Sequence, residues 1–119
     1  MMDSTTKKMV ARLMEETSTG RLAWKVLDAP NSITRGNDDV FPLYFESSYR
    51  GRNVCIYEAR TRNYIEDREY WNEFLVIGIV DNDGRVVWDY EGNDPMLREL
   101  FGDVRRSVSD VNEFLDYFR

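Results

Sequence analysis

Two spacings of apolar residues alternate along this chain, one with the period of a helix and one with the period of a strand. Met9, Val10, Leu13 and Met14 form a narrow helical stripe that Thr5 or Thr6 could cap and Gly20 would end, with the residues before Ser4 expected to fray. Leu22, Trp24 and Val26 then alternate with polar neighbours, predicting a first strand entered directly from the turn at Gly20; helical continuation is the competing reading. Residues 29–39 gather Pro30, Asn31, Gly36 and Asn37 with two aspartates, which predicts a mobile surface loop. Phe41, Leu43 and Phe45 mark a second strand, in which Pro42 points to an edge position or a bulge. A tight turn at Arg50-Gly51-Arg52 leads to a third strand over 54–60, with Val54, Ile56 and Glu58 on one face and Cys55, Tyr57 and Ala59 on the other.

Residues 60–70 mix arginines, acids and two tyrosines without a sustained period, and are expected to be a long exposed loop. The stretch from Trp71 to Tyr90 is the most legible. Residues 74–80 are apolar on both alternating faces, as in a strand covered on two sides, and Val86, Trp88 and Tyr90 predict one face of a returning strand. Asp83-Gly84 between them is expected to supply the positive φ angles of a tight hairpin turn. Asp94-Pro95 starts a helix carrying Met96, Leu97, Leu100, Phe101, Val104 and Val108 on one side. Asp110 and Glu113 have capping-box spacing, so a break near 107–109 should precede a last helix bearing Val111, Phe114, Leu115 and Phe118. The expected fold is a single α+β domain over 1–119, with an N-terminal helix, a five-stranded antiparallel meander sheet and two C-terminal helices packed on one face of it.

Composition narrows the function. Hydrophobic residues are 42% and aromatics 13% of 119 residues, enough for a core without a disulfide or metal staple. The 22 acids against 16 bases give a net charge of -6, which disfavours nucleic acid and anionic membranes as partners and favours a protein or a small molecule. The lone Cys55 cannot close an internal disulfide, and no apolar run has the length of a signal peptide or membrane span, so a reducing cytoplasmic compartment is expected. Histidine is absent, which removes the usual neutral-pH general base, the Ser-His and Cys-His pairs and most zinc sites.

Cys55 lies in an apolar strand and reads as a small buried hydrophobe. Asp81-Asn82-Asp83-Gly84 lacks the later ligands of a calcium loop and reads as a turn. Glu66, Asp67 and Glu69 read as solvated loop acids, and the 7 scattered glycines make no phosphate cradle. No cofactor or metal is implied. The candidate binding residues are Arg50, Arg52, Tyr57, Arg60, Arg62, Tyr64, Arg68 and Tyr70, since arginine and tyrosine are favoured in binding hot spots and could also clamp and stack a nucleotide. The competing use of these arginines is pairing with Glu46, Glu58, Glu66 and Glu69 across the sheet. With only short helices to cover the two-sided strand, one sheet face is also open to a second subunit through Leu75, Ile77 and Ile79 or their opposite set.

Gly20-Arg21-Leu22-x-Trp24, Asp81-x-x-Gly84-x-Val86-Val87 and the tail Leu100-Phe101-x-x-Val104-Arg105-Arg106-Ser107-Val108-x-x-Val111-x-x-Phe114-Leu115 resemble a pattern of small uncharacterised bacterial α+β proteins. The resemblance implies a helix–sheet–helix domain and no catalytic residue. Together these readings predict a non-enzymatic protein-interaction module of accessory, immunity or inhibitor type. The alternatives are a small-ligand or nucleotide-binding protein using the Arg/Tyr group, and a metal-dependent enzyme using carboxylates.

Overall fold

The computed structural model describes residues 2–36, 39–108 and 111–119. Its elements in chain order are α1 (Ser4–Ser18), β1 (Lys25–Leu27), α2 (Asn31–Thr34), β2 (Val40–Tyr49), β3 (Arg52–Ile65), β4 (Arg68–Val80), β5 (Val86–Gly92), α3 (Pro95–Val108) and α4 (Val111–Asp116). The strands form one antiparallel sheet in the order β1-β2-β3-β4-β5, so the expected α+β class and five-stranded meander are what the chain adopts.

The first helix begins two to three residues earlier than capping by Thr5 or Thr6 implies. Asp3 caps it, its carboxylate accepting from the Thr6 amide at 2.7 Å, and Met2 is buried in the core rather than frayed. Gly20, at φ 77°, ends the helix while the Arg21 and Leu22 amides reach back to the Glu16 carbonyl. The chain then runs on without strand pairing until Lys25. Leu22 and Trp24 are buried ahead of β1, and the Trp24 indole donates to the buried Thr17 hydroxyl at 3.0 Å, whereas Val26 is exposed. The alternation over 22–26 therefore reflects burial against α1 more than strand structure.

α1 and α3 pack against each other over one sheet face. Val10 and Leu13 from α1, and Leu97, Leu100, Phe101 and Val104 from α3, meet Phe45, Val54, Ile56, Leu75 and Ile77, and the Phe45 and Phe101 rings lie edge to face at 5.7 Å. The other face carries Tyr44, Cys55, Tyr57, Ala59, Val76 and Val80, and Ala29 and Ile33 pack onto it. Residues 29–36 therefore form a cover rather than the expected surface loop: α2 turns on the Pro30 carbonyl, and the Ser32 hydroxyl donates to the Gly84 carbonyl in the β4–β5 turn. Residues 37 and 38 lie outside the described residues. Leu75 and Ile77 on one face of β4, and Val76 and Val80 on the other, are thus buried within the chain while Ile79 is only partly so, which leaves little of either set open to the expected subunit contact.

The larger correction concerns residues 60–70. They continue β3 and β4 as a paired ladder from Arg60↔Glu73 to Ile65↔Arg68, closed by Glu66 at φ 51° and Asp67 at φ 66°. Two successive left-handed residues match the strand twist, and Arg50 (φ 52°) and Gly51 (φ 77°) do the same between β2 and β3. Between β4 and β5 only Gly84 has positive φ, and the Asp81 carboxylate accepts from the Asp83 and Arg85 amides, both at 2.9 Å. A register shift puts Val86 opposite Val80 and Trp88 opposite Ile79, so Val86 does not share a face with Trp88 and Tyr90 as the alternation implied. The expected disturbance near Pro42 is present as a shift between Val40 and Leu43.

α3 starts where Asp94-Pro95 predicts, but the Asp94 carboxylate accepts from the Tyr90 hydroxyl at 2.8 Å. α3 continues to Val108, and the rest of the expected break near 107–109, with its capping residue Asp110, lies outside the described residues. Phe114, Leu115 and Phe118 of the expected last helical face are exposed, so α4 is not packed on the sheet as α3 is.

Candidate functional site

The sheet's central hairpin is longer than its neighbours, and that mismatch creates the most distinctive surface. β2 accompanies β3 only as far as Val40↔Arg60, and β5 accompanies β4 only as far as Gly92↔Leu75. Beyond those pairs, residues 61–65 and 68–72 pair only with each other and project as a two-stranded arm. Cross-strand partners point the same way, so Arg60, Arg62, Tyr64, Glu69, Trp71 and Glu73 share the helix-side face, while Asn63, Ile65, Arg68, Tyr70 and Asn72 share the other. Tyr64 and Ile65 are more than half exposed, and Trp71 and Tyr70 follow at 43% and 38%.

Charge on the helix-side face is arranged in pairs. The Arg60 Nε lies 3.0 Å from Glu58 and 3.2 Å from Glu73, and the Arg62 Nε lies 2.9 Å from Glu69 while its guanidinium sits over the Trp71 ring. Its hydrogen bond with Glu58, reinforced by the charges of Glu58 and Glu73, raises the Arg60 pKa further, so this cation is fixed. The predicted cross-strand charge network is therefore present at Arg60 and Arg62, with Glu73 as a partner the sequence reading did not name.

Where the arm leaves the sheet, α3 overhangs it. Glu58, Glu73 and Leu75 from the strands and Arg98, Phe101 and Arg105 from α3 line a cleft of about 230 Å³, and a neighbouring recess of about 240 Å³ is bounded by Val40, Arg60, Trp71 and Glu73. Glu73 is common to both. Arg105 lies over the Phe101 ring at 5.8 Å, and Arg98 bonds the Asn93 side chain at 3.0 Å. Gly102 borders the cleft too, and the nearest side-chain atom a Cβ there would meet is the tip of Arg106 at 3.3 Å, a flexible neighbour that does not by itself require a glycine in mid-helix.

The eight predicted site residues do not form one site. Arg50 and Arg52 sit at the β2–β3 turn, and since β3 runs 14 residues, roughly 40 Å of strand separates them from the arm tip. Tyr57 is buried in the second-face cluster, where burial raises its hydroxyl pKa. Arg60, Arg62 and Tyr64 share the helix-side face, and Arg68 and Tyr70 lie on the opposite one. Sequence reasoning missed Trp71, Glu73, Arg98 and Arg105. The signal for the last two was there: positions 98, 101, 102 and 105 fall on one side of a helix.

Cys55 is fully buried, and burial pushes its thiol up to about 12, against nucleophilic use. Among the described residues no three Cys, Asp or Glu side chains come together to hold a metal ion, and no helix is long and apolar enough to cross a membrane. No protein-family model matches the chain, and no curated protein or solved structure is significantly similar to it.

Proposed function

We propose that this chain is a non-enzymatic protein-interaction module, of accessory, immunity or inhibitor kind, that grips its partner with the helix-side face of the β3–β4 arm and the cleft at its base. One observation carries the reading: residues 61–65 and 68–72 leave the sheet as a bare two-stranded ribbon bearing exposed Tyr64, Ile65, Tyr70 and Trp71. An isolated ribbon gains little stability from its own contacts, and arginine, tryptophan and tyrosine are the residues on which binding energy concentrates. The acidic net charge favours a protein over nucleic acid.

Small-ligand binding is the second reading, since Arg98 and Arg105 overhang the cleft. At about 230 Å³ it is below the roughly 300–1,000 Å³ usual for ligand sites, and Glu58 and Glu73 oppose the arginines within it. A mixed-charge recess of that size suits one side chain of a protein partner better than a nucleotide.

The test places a photo-reactive amino acid at position 64 in the cells that make this protein. A discrete cross-linked protein is expected, and it should fade when Arg62→Ala and Trp71→Ala are added. Cross-linking indifferent to those two changes, or no greater than from the same probe at position 117, would refute the proposal.

A further inference from the structure

The cleft under α3 has acids on one wall and arginines on the other, and the two walls do not neutralise each other. On the sheet side, the Glu58 and Glu73 carboxylates both turn to the Arg60 Nε, at 3.0 and 3.2 Å. On the helix side, Arg98 and Arg105 stand on one face of α3, roughly 10 Å apart along its axis. Among the described residues no carboxylate lies within ion-pair distance of either guanidinium. Arg98 gives its Nε to the Asn93 carbonyl at 3.4 Å and its Nη2 to the Asn93 side chain at 3.0 Å, a neutral partner that holds the cation without compensating its charge. Arg105 is exposed, rests over the Phe101 ring, and makes no hydrogen bond among the described residues. Two acids against three arginines leave this place positive, in a chain whose net charge is -6.

We infer that the side chain this cleft takes from the partner is a carboxylate, held by Arg105 and the unbonded side of Arg98 above Leu75 and Phe101. The inference rests on the proposed partner surface and names the chemistry of one of its contacts. Guanidinium N–H groups match the two oxygens of a carboxylate and form the stronger, charge-assisted kind of hydrogen bond. Leu75 and Phe101 are each only 6% exposed, so the floor is apolar and an inserted charge meets the arginines with little water between them. The other occupants fit less well. A basic side chain would find both acids already turned to Arg60 and would face two uncompensated cations on the opposite wall. A neutral side chain would cover those guanidiniums without supplying an acceptor for their charge. Because the rest of the chain is acidic, an acidic partner is repelled elsewhere, which confines its docking to this place.

Two substitutions with opposite expected effects test the charge. With the photo-reactive amino acid at position 64, Arg105→Gln should lower the yield of the cross-linked protein by roughly fivefold or more, and Arg105→Glu should lower it further. Glu73→Gln should raise the yield, because it removes a carboxylate that repels the incoming one. The fold tolerates these changes, since Arg105 is exposed and Arg60 keeps Glu58 when Glu73 is altered. A yield indifferent to Arg105→Gln would overturn the inference and leave the arm as the partner surface. So would a yield that rises with Arg105→Gln and falls with Glu73→Gln, as a basic side chain requires, or one that falls with both, as a group bearing both charges requires. A probe at position 64 that captures no more than one at position 117 removes the partner surface itself, and this contact with it.

Discussion

Arg62 and Trp71 face each other across the arm, with the guanidinium carbon 4.9 Å from the ring centre. The same side chain reaches Glu69 at 2.9 Å, so one arginine orders an aromatic and an acid where no core lies beneath them. Both side chains of the ion pair are more than two-fifths exposed, and such contacts contribute only about 0.5–1 kcal/mol.

Arg62→Ala and Trp71→Ala are therefore expected to change stability by about 1 kcal/mol or less each. Urea denaturation measures this. A loss of roughly 3–5 kcal/mol for Trp71→Ala would instead mean that the arm belongs to the core.

Gly78 sits where the central strand is most crowded. A Cβ there would lie 2.9 Å from the Trp88 carbonyl oxygen and 3.3 Å from the Cys55 sulfur. The carbonyl belongs to the β5 main chain and cannot swing aside as a side-chain tip could. Gly78→Ala should destabilise by roughly 1–3 kcal/mol, read from the urea midpoint. A neutral effect would show that β4 and β5 separate more easily than their ladder implies.

Burial pushes the Cys55 thiol from 9.0 to about 12, and Tyr44 and Tyr57 move in the same direction for the same reason. In each case the folded chain favours the protonated group. The stabilisation is therefore complete below the unfolded pKa and disappears as pH rises through the folded one, which for the thiol is the window from 9.0 to about 12. Stability should fall across that window, and a thiol reagent at pH 8 should label Cys55 only after urea unfolds the chain. Rapid labelling of the native protein would contradict the burial.

Local chemistry made several features legible. The Gly20 helix stop, the turn closed by Gly84 and the helix start at Asp94-Pro95 each depend on one residue's conformational preference, which neighbours in sequence are enough to reveal. Residues 60–70 were opaque because charged and aromatic residues fit an exposed strand as well as a loop, and Glu66-Asp67 forms its two-residue turn without glycine. Residues 29–36 were opaque for the opposite reason. Their turn-forming composition is real, but whether a turn sits in solvent or covers a sheet depends on what lies beneath it.

The chain's periodicities and turn residues by themselves determined an antiparallel meander with helices at its ends, because hydrophobic spacing and φ preference act over a few residues. Only the tertiary structure decided how far β3 and β4 outrun β2 and β5, and thus which arginines and aromatics meet. Strand pairing joins positions far apart in sequence. The Arg/Tyr group that looked continuous along the chain is consequently divided between two faces and two ends of one sheet, while Trp71, Glu73, Arg98 and Arg105 are gathered around the base of the arm.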